Sequence, residues 1–189
     1  ASQNKESVHH NGVCGLDFNP ATDEVVSGAC DGKIVFCNKK SLAAGTALIT
    51  ELSISALSIS PWHDEIYIGT DGNAGKICKM DYQTKKMGSY FDAHQGNVTR
   101  ICVGIEILAS CSTDKTVRVW NKKTAEPLIK FTDCMQAVRC LELIEDDTVL
   151  IAGTSEGKIR VWSLPMSIQI ASFFFEGEPR VWGMGYMPT

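Results

Sequence analysis

The 189-residue chain has no run of eighteen or more apolar residues, so no membrane-spanning helix is expected. It has no Gly-x-Ser-x-Gly elbow, no phosphate-binding glycine loop and no His-Glu-x-x-His helix, which removes the common sequence marks of hydrolase, nucleotide-binding and zinc-protease chemistry. No two of its eight cysteines have Cys-x-x-Cys spacing, and none of the four histidines pairs with a cysteine at a zinc-ligand interval. The cysteines sit mostly among apolar neighbours and read as small buried hydrophobes of a reducing compartment. The opening Ala1-Ser-Gln-Asn-Lys-Glu-Ser7 has no apolar signal-peptide core. Sustained helical periodicity is missing, which argues against a helical repeat. These absences point to a chain with no catalytic residue, no cofactor and no metal, set inside the cell in the cytoplasm or the nucleus. Apolar residues at 44% and charged residues at 21% are globular values.

What the chain does have is repetition. Asp31-Gly-Lys-Ile-Val-Phe-Cys37, the stretch Asp71 to Met80, Asp114-Lys-Thr-Val-Arg-Val-Trp120 and Glu156-Gly-Lys-Ile-Arg-Val-Trp162 end alike, and their last residues are 43, 40 and 42 positions apart. A period of about 40–45 residues is that of a four-stranded propeller blade. Within the best-preserved unit, strands are expected at Val98 to Val103, Ile107 to Cys111, Thr116 to Trp120 and Pro127 to Phe131, rich in Val, Ile and Cys and separated by polar turns.

His94-Gln-Gly-Asn-Val98, Leu108-Ala-Ser110, Asp114 and Val119-Trp120-Asn121 together resemble a WD repeat, with Asn121 in the place of the Asp. The resemblance runs from about Val8 to the chain end. It implies an all-β WD-repeat β-propeller segment spanning 1–189, with blades at about 8–52, 53–91, 92–131 and 132–175 and the start of a fifth at 176–189. It also implies a buried hydrogen-bonded tetrad of His94, Ser110, Asp114 and Trp120, clamping three strands of one blade. The chemistry is consistent: a buried Asp needs donors, a His both donates and accepts, and an indole N–H only donates.

The other units depart from the pattern. The first has His9 or His10, Ser27 and Asp31, but Cys37 stands where the Trp belongs. The second has Met80-Asp81 and no His near Leu52, and the fourth keeps Trp162 with Cys134, Ala152 and Glu156 at the other positions. Blades held more by packing than by polar networks are therefore expected. Four blades and a fraction leave two raw ends, each with an apolar face and a sheet edge. Three covers stay open: the missing half of a longer propeller, a second copy completing a homodimeric ring, or a partner protein.

Function must then reside in surfaces. The resemblance places one face of the disc at the residues flanking the start of each inner strand and at the residue before each turn acid. Carried over, these are Gly12, Cys14 and Cys30; Ser55, Leu57 and Thr70; Asn97, Thr99 and Thr113; Ala137, Arg139 and Ser155; and Arg180 and Trp182. Asn97, Thr99, Arg139, Arg180 and Trp182 are the candidate contacts for a protein partner or peptide motif, Arg and Trp being the types that dominate interfaces. A second surface is offered by the pairs Lys39-Lys40, Lys85-Lys86 and Lys122-Lys123, a basic arc suited to nucleic acid or a phosphoinositide headgroup. Acidic turns at Asp23-Glu24, Asp64-Glu65 and Glu145-Asp146-Asp147 share that face, and net charge is −4, so a mixed surface is expected. The leading expectation is a non-catalytic scaffold that assembles a larger complex. The alternative is a ribonucleoprotein-associated or phosphoinositide-binding propeller.

Overall fold

The computed structural model describes residues 8–40, 44–60, 62–72, 74–144 and 146–174. The expected fifth-blade strand, with Arg180 and Trp182, lies outside the described residues. Among those residues there are sixteen strands and no helix, arranged as four antiparallel sheets in which each strand pairs with its neighbours in sequence. Blade 1 is β1 (Val13–Asn19), β2 (Glu24–Ala29), β3 (Lys33–Asn38) and β4 (Ala44–Ile49). Blade 2 is β5 (Ile54–Ile59), β6 (Glu65–Thr70), β7 (Gly75–Asp81) and β8 (Met87–His94). Blade 3 is β9 (Val98–Val103), β10 (Ile107–Ser112), β11 (Val117–Asn121) and β12 (Pro127–Phe131). Blade 4 is β13 (Val138–Ile144), β14 (Val149–Thr154), β15 (Lys158–Ser163) and β16 (Ile168–Phe174). The expected break between blades at 91 and 92 falls inside β8, because that outer strand continues to pair with β7 as far as His94.

Local chemistry sets the turns. The hairpin after the second strand needs a left-handed residue, supplied by Gly32 (φ 76°), Gly157 (φ 79°) and, at a cost, Lys115 (φ 69°). Each donates its N–H back to the same position of the second strand, Ala29, Thr154 and Ser112. After the third strand the side-chain oxygen of Asn38, Asp81 or Asn121 accepts an amide two or three residues on. That role explains why Asn121 serves in the place of an Asp.

The core is three blade-to-blade seams. Val26, Ile34 and Phe36 of blade 1 pack on Ile54, Leu57, Ile66 and Met80 of blade 2. Tyr67 and Ile77 of blade 2 meet Val98, Ile101, Leu108 and Trp120 of blade 3. Val117, Val119 and Phe131 of blade 3 meet Val138, Leu141, Leu150 and Trp162 of blade 4. The inner strands come close: a Cβ on Gly15 of β1 would lie 2.6 Å from the Leu57 Cβ on β5.

Register makes the four blades comparable. Leu16, Leu57, Ile101 and Leu141 oppose Ser27, Ile68, Ser110 and Ala152 in their sheets, so they are one position of the repeat. The last three are 2%, 1% and 1% exposed, each buried against the preceding blade, whereas Leu16 is 60% exposed. Val13 and Phe18 are exposed beside it, although Ile54, Val98 and Val138, the equivalents of Val13, are fully buried. At the other end Ile151, Ile159 and Val161 are only half-buried, while their equivalents Val26, Ile34 and Phe36 in blade 1 are buried.

The same substitution should therefore behave differently at two equivalent positions. Leu57→Ala should cost about 2–5 kcal/mol, the range for a buried large-to-small change. Leu16→Ala should stay within about 0.5 kcal/mol, as an exposed change does. Urea unfolding of the two variants checks this, and equal losses would mean that Leu16 is covered as Leu57 is.

Candidate functional site

The tetrad residues meet, but across a seam. His94 ends β8 of blade 2, while Ser110, Asp114 and Trp120 belong to β10, the following turn and β11 of blade 3. Trp120 Nε1–H donates to Ser110 Oγ at 2.9 Å, His94 Nε2 lies 2.8 Å from the same Oγ, and His94 Nδ1 lies 3.0 Å from Asp114 Oδ2. The network thus fastens blade 2 to blade 3, where the sequence led us to expect a clamp within one blade. The strand pairing of β8 decides this, because it carries the His onto the preceding sheet.

One protonation pattern satisfies every atom. Trp120 donates to Ser110, the Ser110 hydroxyl donates to His94 Nε2, and His94 Nδ1–H donates to Asp114. A charged His94 would also donate to Ser110 Oγ and leave that hydroxyl hydrogen without an acceptor. Burial accordingly holds the His94 value below its ordinary 6.5, against the pull of Asp114. Burial pushes the Asp114 carboxyl up, but donors from His94, Thr116 and the Gln95 amide overcome it and hold it well below the carboxylate range. Thr116, absent from the sequence-based set, donates to Asp114 Oδ1 at 2.7 Å. Its place two residues after the turn Asp was the available signal.

The other blades keep parts of this latch. In blade 1 it is His9, not His10, whose ring reaches Ser27 Oγ (2.8 Å) and Asp31 Oδ1 (3.4 Å); His10 offers its backbone N–H to Asp31. In blade 4, Trp162 Nε1–H turns to Asp133 Oδ2 at 3.4 Å and its ring stacks on Phe131 at 4.9 Å.

The second arrangement is a cleft of about 490 Å³ at the starting ends of the inner strands, reached by all four blades. Each inner strand carries a β-bulge there: pairing skips one residue between Val13 and Gly15, Ile54 and Ala56, Val98 and Arg100, and Val138 and Cys140. The skipped residues are Cys14, Ser55, Thr99 and Arg139, and all four line the cleft. A bulge re-aims the extra side chain, and here it turns four of them to one place. Ser55 Oγ donates to Val98 O (2.7 Å) and Thr99 Oγ1 to Val138 O (2.6 Å), so two of them also tie neighbouring blades together. Arg139 Nε–H donates to Ser155 Oγ at 2.9 Å. Cys30, Asn97 and Thr113 join them as expected and Val13, Asp71 and Val98 unanticipated, whereas the expected Gly12, Ala137 and Ser155 are not part of the lining. Nor are Leu57 and Thr70: Leu57 is core, and the buried Thr70 hydroxyl accepts the Lys76 amide. The error at Leu57 came from placing the strand start at Ala56 rather than Ile54, two residues out of register.

The basic arc dissolves into separate contacts. Asn38 and Asn121 put Lys39-Lys40 and Lys122-Lys123 in register, but Lys85-Lys86 follows Asp81 by four residues and occupies the positions of Ala125 and Glu126. Lys122 is 7% exposed, with its ammonium donating to Gly104 O at 2.8 Å and 3.3 Å from His63 Nδ1. Lys85 lies over the Phe36 and Tyr82 rings at 3.6 and 3.9 Å, and Lys39 over Phe18 at 5.0 Å. Lys40 pairs with Asp23 and Lys123 with Glu106, both at 3.1 Å; Lys86 is exposed.

The tetrad gives a pH expectation. A His held below its ordinary value contributes stability that is present above pH 6.5 and lost as pH falls through its folded-state value. Asp114 acts with the same sign at lower pH, below its ordinary 3.8. The unfolding free energy should drop between about pH 7 and pH 5. His94→Gln should flatten that drop, and an unchanged slope would mean His94 is not the neutral link.

Comparison with known proteins fits this geometry. Residues 3–38, 85–121 and 125–163, more than half of the chain, match the family described as "WD domain, G-beta repeat". Most of blade 2 falls outside the matches, and it is the blade with Thr50, Ile68 and Met80 at latch positions. WD repeat-containing protein pop2 of Schizosaccharomyces pombe is 28% identical over 54% of this chain and 16% of its own length. Periodic tryptophan protein 2 of Arabidopsis thaliana is 29% identical over 47% of this chain and 10% of its own length. The probable coatomer subunit beta' of Schizosaccharomyces pombe is 24% identical over 80% of this chain and 20% of its own length. The chain thus spans a fifth or less of each of these relatives. On the matched repeats, the chain belongs to the WD domain, G-beta repeat family.

Proposed function

We propose that the chain is a non-catalytic scaffold that holds a peptide segment of a protein partner in the cleft of bulged residues and so helps assemble a larger intracellular complex, cytoplasmic or nuclear. The observation that carries this is the convergence of Cys14, Ser55, Thr99 and Arg139, one bulge from each blade, on one cavity of about 490 Å³. An invariant backbone device bearing four different side chains is a way to vary recognition without altering the scaffold. The WD repeats shared with the relatives support a role in protein interaction, and eight cysteines without a disulfide suit a reducing setting. The ribonucleoprotein or phosphoinositide alternative loses support from Lys122, which is buried, and Lys85, which lies over two rings, since both are withdrawn from a continuous basic arc. Partner capture from cell extract, quantified by mass spectrometry, separates the two readings. Arg139→Glu and Asn97→Lys should each deplete captured partners about tenfold or more, as loss of an interface contact does, with melting temperature unchanged. Lys40→Glu with Lys123→Glu should leave capture intact, and the reverse pattern would reject the cleft.

A second reading concerns the ends. Val13 and Leu16 occupy positions that every other blade buries against its predecessor, and this favours docking of a further WD-type blade there. If a second copy supplies that blade through its half-buried Ile151, Ile159 and Val161, light scattering will give a mass near twice 20.6 kDa that Leu16→Asp reduces to the single-chain value. A monomer at all concentrations would reject the second copy as the source.

A further inference from the structure

The cleft holds one feature that its scaffold role does not use. Cys14 and Cys30 face each other across its wall with their sulfurs 3.1 Å apart. The bulge creates this meeting. Cys14 is the skipped residue of β1, and Cys30 directly follows β2, just before the turn Asp31. The corresponding residues are Ser55 and Asp71 in blade 2, Thr99 and Thr113 in blade 3, and Arg139 and Ser155 in blade 4, so only blade 1 places two thiols there. The Ser55 and Thr99 hydroxyls are committed to carbonyls of the next blade, Val98 and Val138. The Cys14 thiol instead turns to Gly12 O at 3.3 Å and to Cys30. Cys14 is exposed and Cys30 partly so, whereas Cys78, Cys111, Cys134 and Cys140 are buried. A small reagent in the cleft can therefore reach this pair and not those four.

We propose that Cys14 and Cys30 form a thiol–disulfide exchange site that reacts with a small-molecule disulfide of the oxidised-glutathione class and closes to a Cys14–Cys30 disulfide. The steps balance. The Cys14 thiolate attacks one sulfur of the reagent, the reagent's S–S bond breaks, and one glutathione thiolate leaves. The Cys30 thiolate then attacks the Cys14 sulfur of the mixed disulfide and displaces the second. The protein pair loses two electrons, the reagent gains them, and the two thiol protons end on two glutathione molecules. Closure requires the sulfurs to approach from 3.1 Å to a bond of about 2.05 Å, a movement that rotation of the exposed Cys14 side chain can supply. Because the pair lines the cleft, oxidation would also change what the cleft holds; this consequence, unlike the exchange itself, rests on the proposed binding role.

Burial, Cys30 and Asp71 together push the Cys14 thiol up to about 11, so little thiolate exists at neutral pH. The rate should then rise about tenfold per pH unit between roughly pH 7 and 9, following the thiolate fraction.

The experiment incubates the intact chain with excess oxidised glutathione, blocks remaining thiols and maps the products by mass spectrometry. The expected result is a Cys14–Cys30 cross-linked peptide as the first product, with a mass loss of about 2 Da and no retained glutathione. Cys30→Ser should stop at the mixed disulfide on Cys14. Independent glutathionylation of the two residues without a cross-link, or faster reaction at any of the other six cysteines, overturns the proposal. Partner capture by the oxidised and reduced chains tests the consequence separately. A cross-link that forms without altering capture would leave the exchange site standing and count against the cleft as the binding face.

Discussion

Every blade of this protein depends on being covered by another. A four-stranded sheet with Val, Ile, Leu and Tyr on both faces cannot satisfy them alone, and the seams are where it does so. Each fully buried Leu, Ile or Val contributes about 1.5–3 kcal/mol relative to exposure, and each seam holds several. The hydrogen bonds of the His94 network contribute about 0.5–1.5 kcal/mol each after desolvation. Packing therefore outweighs polar latching by a wide margin. That ordering explains how blade 2 can carry Met80, and blade 4 Ala152, at latch positions and still form the same sheet.

What the polar network adds is direction. Apolar faces slide at small cost, whereas a chain of donors from Trp120 through Ser110 and His94 to Asp114 is satisfied in one relative placement of two blades. The side-chain bonds from Ser55 and Thr99 to the next blade's carbonyls act at the same seams from the inner strands. The buried Lys122, beside His63 of blade 2, and Lys85, over the Phe36 ring of blade 1, do so on the opposite face. Lys122 and Lys85, which look like part of a charged surface in the sequence, thus act as mortar, while Lys39, Lys40, Lys86 and Lys123 stay exposed. Long side chains cover apolar neighbours while their charged ends find a partner, and sequence does not reveal which end of that compromise prevails.

The bulges connect fold to recognition. An extra residue in each inner strand disrupts one step of pairing, and the same disruption turns its side chain into the cleft. The scaffold's regularity therefore sets where recognition residues stand, and the variation among Cys14, Ser55, Thr99 and Arg139 sets what they present. In blade 1 that variation gives two thiols in contact, a chemistry the hydroxyl-bearing blades lack.

Much of this was legible in the sequence. The period, the turn glycines and the alternating apolar strands give the four sheets, and β9 and β12 begin and end where the pattern puts them. Their causes are local: strand propensity, left-handed turn residues and side-chain periodicity act over a few positions. The identity of the latch residues was legible too, as were Cys14, Thr99 and Arg139 of the cleft. The tertiary structure alone decided which blade His94 serves, that Leu57 is core while Leu16 is bare, that Lys122 is buried, and that Cys14 meets Cys30. Each of these depends on strand register or on the neighbour across a seam, and a shift of one residue reverses which face a side chain occupies. Sequence determined what each blade is made of; the seams between blades determined what each residue does.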